Sequence, residues 1–249
     1  MKKTILFVAV YFVCYAVAGQ GLLDKLKKQT EKDSSGILSG VSKSLGGGSS
    51  LSNAEIIDGL KEALKVGTDS SLFHLSKLDG FFSNAAIKIL MPPEAKKVES
   101  TLRNLGMSSL VDKAILSMNR AAEDAASGVS GIFRDAIMKM TISDGLSILR
   151  GGNHAATDYL KKTTSASLRE KMAPVIKNSL NKVNATEYWK DVFSAYNRFS
   201  ASKVNTDLTA YVTEKAMDGI FFSVAEEEQK IRQDPAARVT DLLKKVFAK

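Results

Sequence analysis

Helical spacing of the apolar residues is the feature that most constrains the fold of this chain. From Ile56 to Phe247 apolar side chains recur every three or four positions, as in Leu60 and Leu64, whereas runs that alternate at period two are scarce. The pattern predicts an all-α fold. We expect one multi-helix bundle domain of about eight to ten helices over residues 51–249.

Residues that begin or end helices divide this pattern. Ser52 with Glu55 three positions later predicts a capping box at the start of the first helix. Asn153 is expected to cap the helix that follows Gly151-Gly152, and Pro174 to lie inside or near the start of a helix. The expected breaks are Pro92-Pro93, Gly106, Gly128 to Gly131, Gly151-Gly152, Asn184 and Asp234-Pro235.

The first residues have the layout of a secretory signal. Lys2 and Lys3 precede an apolar run, Ile5 to Val17, which is shorter than the roughly 20 residues of a membrane-spanning helix. Ala16-Val17-Ala18 then supplies the small-x-small pattern of a cleavage site. We expect a signal peptide over residues 1–18, a basic, Gly/Ser-rich flexible leader over 19–50, and export to the periplasm or cell envelope.

Cys14 is the one cysteine of the chain and lies inside the predicted signal peptide. The mature chain would therefore form neither a disulfide nor a thiolate metal site. A lipid anchor at Cys14 is disfavoured, because Tyr11 and Val13 do not fit the residues that such a site needs.

The net charge is +8, and it becomes +6 when Lys2 and Lys3 leave with the signal peptide. Export would place anionic envelope surfaces, and not nucleic acid, within reach of this basic chain. The basic amphipathic stretch within residues 22–32 predicts peripheral association with an anionic membrane. A basic surface that serves only solubility is the alternative.

The densest polar group on an apolar helix is Asn119 to Asp124. Asn119 and Glu123 share one helix face, and Arg120 and Asp124 share the next. One interpretation makes Glu123 a general base or metal ligand; the carboxylates that could join it are Asp79, Asp144 and Glu228. The other, which we favour, is a buried ion-pair network that fixes helix register.

Other chemistry has little support in the sequence. His74 and His154 fall in no zinc-binding arrangement, and no G-x-S-x-G motif is present, so no metal, cofactor or catalytic residue is predicted. The Gly-rich stretch before Tyr159 could hold an anion at a helix N-terminus. The pairs Glu226 with Lys230 and Glu228 with Arg232 are typical of a solvated helix face.

Aromatic residues could form either the core or the walls of a lipid-sized pocket between helices. The aromatic side chains concerned are Phe81, Phe82, Phe221, Phe222, Tyr159, Tyr188, Trp189, Phe193 and Tyr196. Two of these pairs belong to an internal echo, Leu78 to Phe82 and Met217 to Phe222, which we attribute to a shared packing turn.

Several short strings occur in order along the chain. They are Asp79-Gly80-Phe81 with Asn84, Asn119-Arg120-Ala121-Ala122-Glu123, Met140-Thr141 with Asp144, Ile148-Leu149 with Gly151, Ala155 to Leu160 with Thr164, Tyr211-Val212, Asp218-Gly219 with Phe221, and Glu227-Glu228 with Ile231-Arg232 and Pro235. Together they resemble the bacterial family catalogued as domain of unknown function 4197, from about Ile56 to Phe247. Gly145 stands where we expect alanine in that family.

The resemblance implies an exported helical domain and brings no established activity, substrate or catalytic residue. It also suggests that the polar strings face one cleft. The candidate ligand-binding or polar cluster is Asp79, Asn84, Asn119, Arg120, Glu123, Asp144, Thr157, Tyr159, Glu228 and Arg232.

The leading hypothesis for function is a non-enzymatic envelope protein, a helical binding or interaction module that could take an apolar small molecule or an envelope component. The alternative is a carboxylate-dependent hydrolase or metal enzyme that uses the Asn119–Glu123 region.

Overall fold

The computed structural model describes residues 52–199 and 207–234. The predicted signal peptide, the leader and residues 235–249 lie outside them. The described residues contain eight α-helices and no β-strand, which confirms the all-α fold. The helices are α1 Asn53–Leu75, α2 Lys96–Asn104, α3 Ser108–Ala126, α4 Ser130–Met138, α5 Ile142–Arg150, α6 Ala155–Asn181, α7 Ala185–Phe199 and α8 Leu208–Gln233.

Helix α1 begins with the predicted capping box. The Glu55 N–H donates to Ser52 Oγ at 3.2 Å, and the Ser52 N–H donates to Glu55 Oε2 at 2.8 Å. Thr141 and Asp144 form the same box at the start of α5, a helix start that we did not predict. Both boxes satisfy backbone N–H groups that the first turn of a helix leaves without partners.

The apolar spacing predicted helix throughout, and this prediction is wrong between α1 and the short 3-10 helix at Pro93–Ala95. Residues 76–92 instead form a chain of turns, although Phe81, Ile87 and Ile89 there are buried. Asp79 has φ 67°, the left-handed region that a helix cannot contain. A Cβ on the next residue, Gly80, would lie 2.5 Å from the carbonyl oxygens of His74 and Leu75, so the turn requires glycine.

The core lies where α8 packs against α6 and α1, and where α3 packs against α6. Pro174 lies inside α6, as predicted. This helix buries a side chain at every fourth position, and the buried series is Leu160, Thr164, Leu168, Met172, Ile176 and Leu180. On α3 four buried alanines let the neighbouring helix approach closely, and they are Ala121, Ala122, Ala125 and Ala126.

The two echo segments do not share a turn, so that interpretation is wrong. Leu78 to Phe82 lies in the turns after α1, whereas Met217 to Phe222 lies inside α8. The two segments instead meet, because a Cβ on Gly219 would lie 2.6 Å from the Phe81 ring. Gly145 has a similar role on α5, where a Cβ would collide with the Ile57 side chain.

No helix within the described residues is both long enough and apolar enough to cross a membrane.

We expect Gly219→Ala to lower the free energy of unfolding by about 1–3 kcal/mol, because the added methyl must displace the buried Phe81 ring. Gly131→Ala on α4 is the matched control, since a Cβ there meets nothing within 4 Å. It should cause no loss and a gain of up to about 1 kcal/mol from helix propensity. Urea denaturation measures both; equal effects would contradict the close approach of Gly219 to Phe81.

Candidate functional site

Three of the predicted site residues meet where the turns after α1 lie on α3. Arg120 Nη2 donates to Asp79 Oδ1 at 2.7 Å, and Arg120 Nη1 donates to Glu123 Oε2 at 2.6 Å. The other oxygen, Glu123 Oε1, accepts the backbone N–H groups of Phe81 at 3.1 Å and Phe82 at 3.2 Å. The Glu123 carboxylate therefore links α3 to the turns after α1 in two ways. The link is direct through the Phe81 and Phe82 N–H groups, and indirect through Arg120, which also binds Asp79.

Glu123 is buried, whereas Arg120 and Asp79 are partly exposed, with side-chain exposures of 32% and 45%. The hydrogen bond to Glu123 is the main reason that the pKa of Arg120 is raised, against the opposing effect of desolvation. A general base needs access to the proton that it removes. Both oxygens of Glu123 are occupied by protein donors, so this geometry favours a structural role for the carboxylate.

Asn119 makes a second attachment one turn away on α3. Its Oδ1 accepts the Ile89 N–H at 2.9 Å, and its Nδ2 donates to the Ile89 carbonyl at 2.9 Å and to the Ile115 carbonyl at 2.7 Å. The side chain is fully buried. Asn84 lies in the same run of turns, but its Oδ1 accepts only the nearby Ala86 N–H, at 3.0 Å.

Glu228 on α8 forms a separate buried cluster at the N-terminus of α6. Its two oxygens accept the N–H groups of Ala156 at 3.0 Å and Thr157 at 2.9 Å, and Thr157 Oγ1 donates at 2.8 Å. Arg232 donates through Nε at 2.9 Å and reaches the Ile148 carbonyl at 3.0 Å. An anion does occupy this helix end, and it is the protein's own carboxylate.

Three predictions about this region are wrong. The N-cap residue of α6 is His154, without a side-chain cap bond, and not Asn153, because Glu228 already satisfies the first N–H groups. Glu228 and Arg232 do pair, but Glu228 is only 7% exposed and so does not belong to a solvated face. Lys230 pairs with Glu227 and not with Glu226, since Glu227 Oε1 lies 2.7 Å from its ammonium.

Asp144 lies apart from both clusters, in the exposed capping box of α5. The Thr141 hydroxyl and then the Thr141 backbone N–H lower the pKa of Asp144. Burial, and then the negative charge of Asp144, raise the pKa of Tyr159, whose hydroxyl lies 3.4 Å from the Ala136 carbonyl. The ten candidate residues are thus divided among several places, and the structure does not bring them into one cleft.

The described residues form a groove of about 710 Å³, which we call the α3–α7 groove. Its walls come from Met91, α2, α3, the C-terminal end of α6, α7 and the start of α8. The apolar side chains that line it include Leu102, Leu110, Leu116, Val183, Trp189 and Phe193. Its few polar groups include Lys113, Arg120, Asp124 and Lys182.

The groove adjoins the polar cluster of Asp79, Arg120 and Glu123, because Arg120 belongs to both. Met91, also in the groove wall, lies two positions after Ile89, whose backbone is hydrogen-bonded to Asn119. The sequence indicated Trp189 and Phe193 as core or pocket aromatics but did not indicate the groove itself. The apolar residues Leu110 and Ala114 on α3, which lie outside its buried strip, were the available signal.

An aromatic pair lies beside the groove at the junction of α7 and α8. The rings of Trp189 and Tyr211 stack with their centroids 6.5 Å apart, and the Tyr211 hydroxyl donates to the Leu90 carbonyl at 2.8 Å. Burial, helped by the negative charge of Glu94, raises the pKa of Tyr211 to about 12.

Within residues 52–199 and 207–234, no three His, Cys, Asp or Glu side chains are placed to hold a metal ion.

The sequence model of a family described as a protein of unknown function, DUF4197, matches residues 50–248. This chain belongs to the DUF4197 family. The match confirms the resemblance and spans every described element of the DUF4197 domain, including both polar clusters and the groove. No curated protein and no solved structure matches the chain. The family description assigns no activity, so any function must be argued from the geometry.

We expect Glu123→Ala to lower the free energy of unfolding by about 3–5 kcal/mol, because it strands two buried N–H groups and removes a partner of Arg120. Glu123→Gln keeps an acceptor oxygen and should cost less. Asp218→Asn, in the echo segment, is the control: its exposed pair with Lys215 contributes at most about 0.5 kcal/mol. A similar small loss in Glu123→Ala would show that the cluster does not stabilise the fold.

The raised pKa of Tyr211 predicts a loss of stability in alkali. The unfolded phenol ionises near pH 10, so the stabilisation from the neutral folded form is complete below pH 10 and is lost as pH rises towards 12. Phenolate absorbance should show a transition near pH 12 in the folded protein, later than that of an ordinary tyrosine. Tyr211→Phe should remove that transition and reduce the alkaline decline in unfolding free energy; an unchanged titration would refute the assignment.

Proposed function

We propose that the DUF4197 domain is a non-enzymatic binding module that takes an apolar ligand into the α3–α7 groove. The observation that carries the proposal is the groove itself, with its volume of about 710 Å³ and its mainly apolar walls. Sites for small molecules are typically concave, mainly apolar and roughly 300–1,000 Å³ in volume, with a few polar groups that set orientation. The groove meets each of these criteria.

Exposed apolar side chains at the groove support the same function. Leu110 is 49% exposed and Val183 is 55% exposed, and both line the groove. Leu105 and Met107, also exposed, precede Leu110 in the turn between α2 and α3. Exposure of large apolar side chains to water is unfavourable, and their presence at a groove is typical of a binding site. A ligand in the groove would cover Leu110 and Val183.

The alternative, a carboxylate-dependent hydrolase or metal enzyme, has weaker support. Glu123 is occupied by Arg120 and by two backbone N–H groups. Of the carboxylates that could join it, Asp79 is paired with Arg120, and Asp144 and Glu228 each cap a helix elsewhere. An active site would need these groups to converge on one substrate.

The proposal includes the location inferred from the sequence. An exported protein would meet the lipids and other apolar molecules of the cell envelope, and the basic stretch within residues 22–32 would bring it to anionic membrane surfaces. Localisation of the full precursor by fractionation tests this part separately.

The direct experiment is native mass spectrometry of the mature protein purified from its own envelope fraction, followed by organic extraction. A mass excess that disappears on extraction, together with an identified lipid-like molecule, would support the proposal. A stoichiometric metal would support the enzyme alternative. A protein without bound molecules that also fails to bind apolar probes would refute a ligand-binding groove.

We expect Ala114→Phe to reduce the affinity for the neutral apolar dye N-phenylnaphthylamine at least about tenfold, because the ring would fill the groove wall on α3. Ala166→Phe, an exposed position on α6 outside the groove, is the matched control. Trp189 is the one tryptophan of the chain and lines the groove, so energy transfer from it to the dye reports binding. Equal binding by both variants would place the dye elsewhere.

A further inference from the structure

We infer that the ligand of the α3–α7 groove is a long-chain fatty acid, whose carboxylate lies at the end of the groove that Lys113 lines. The inference rests on the proposed function and adds to it the class of ligand and the end of the molecule that the protein recognises. Three features support it: the charged side chains at the groove, the charges of the chain's own terminal segments, and the kind of cation present.

Among the cationic side chains at the groove, Arg120 is paired with carboxylates of the protein, and within the described residues the two lysines are not. Arg120 is paired with both Asp79 and Glu123, so its charge is already neutralised. Lys113 and Lys182 form no ion pair with any residue of the described part of the chain. Both are exposed, so each can lay its aliphatic stem along the apolar wall and keep its ammonium at the rim.

Asp124 is the one carboxylate among the lining residues, and its Oδ2 accepts a hydrogen bond from Ser179 Oγ at 2.7 Å. Asp124 and Lys113 are eleven positions apart on α3, so about 16 Å of helix separates them. The Lys113 end of the groove therefore presents a positive charge without a nearby lining carboxylate. Lys182, by contrast, lies three positions after Ser179, the partner of Asp124, and so shares its end of the groove with that carboxylate. An anionic head on an apolar chain is complementary to this arrangement.

The chain's own terminal segments are poor occupants of such a groove. The amphipathic stretch at residues 22–28 carries Lys25, Lys27 and Lys28 against Asp24. Residues 235–249 contain four basic side chains and one acidic one. Both segments are net basic and would bring their positive charge against Lys113 and Lys182. The complementary occupant comes from outside the chain.

The kind of cation favours a carboxylate over a phosphate. Tight recognition of phosphate commonly uses the forked guanidinium of arginine. The arginine that lines the groove is committed to two carboxylates of the protein. Lysine supplies a single point charge, which suits a monoanionic head at an exposed rim.

The test compares four probes with the same twelve-carbon chain: laurate, lauryl alcohol, laurylamine and lauryl phosphate. Binding of each to the mature protein is followed by Trp189 fluorescence at low salt. Laurate should bind about two- to fivefold more tightly than lauryl alcohol, as one exposed charge contact allows. Laurylamine should bind more weakly than the alcohol, and the preference for laurate should shrink as salt rises.

Lys113→Gln should bring the affinity for laurate down to that for lauryl alcohol, measured with the same variant. Lys182→Gln should retain most of the preference for laurate, because Lys182 lies at the Asp124 end of the groove. Lys177→Gln on α6, an exposed lysine outside the groove, is the matched control and should change neither affinity. Because the substituted positions are exposed, the variants keep the core intact, and thermal unfolding verifies this.

The outcomes separate the inference from the proposed function. Equal binding of laurate and lauryl alcohol, unaffected by the lysine substitutions, would overturn the fatty-acid assignment and leave an apolar groove. Tighter binding of lauryl phosphate than of laurate would also overturn it, in favour of a phosphorylated amphiphile. Failure of all four probes to bind would refute both the inference and the proposed function.

Discussion

The attachment of residues 76–92 to α3 is the interaction on which the rest of the domain depends. This segment is not helical although Phe81, Ile87 and Ile89 within it are buried, so the backbone N–H and carbonyl groups at such positions need partners from elsewhere in the chain. Glu123 and Asn119 supply them from one face of α3. The position of Phe81 then determines where α8 can pack, because Gly219 lies directly against its ring. A few polar atoms thus arrange three helices.

Glu228 makes the same kind of contact from α8, near the C-terminal end of the described residues. In each case a glutamate on one helix accepts two N–H groups of another element and is balanced by an arginine on its own helix. A buried carboxylate is costly to desolvate, so such contacts add less stability than their number suggests. Their geometric demands are strict, however. They distinguish the native register of helices from alternatives with the same apolar contacts.

Local patterns predicted the helices, because apolar spacing and capping residues are encoded within a few positions of one another. The capping box at Ser52 and the shared face of Asn119 and Glu123 followed from the sequence in this way. The turns at residues 76–92 could not be predicted in this way, since the side chains that hydrogen-bond to them lie some 30 to 42 positions away. Asn153 failed as a cap for the same reason: its competitor, Glu228, is more than 70 positions distant. The groove combines residues from Met91 to Leu208 and has no local signature.

Arg120 and the segment that ends at Met91 belong to the polar attachment and to the groove wall at once. Local opening of the turns would therefore remove part of the wall, and a molecule that binds only the intact wall would hold the turns closed. Occupancy and local stability are linked quantities in such an arrangement, and each must change with the other. Variation at Asp79 or Asn119 among related chains could then adjust how tightly a ligand is held without any contact between those side chains and the ligand.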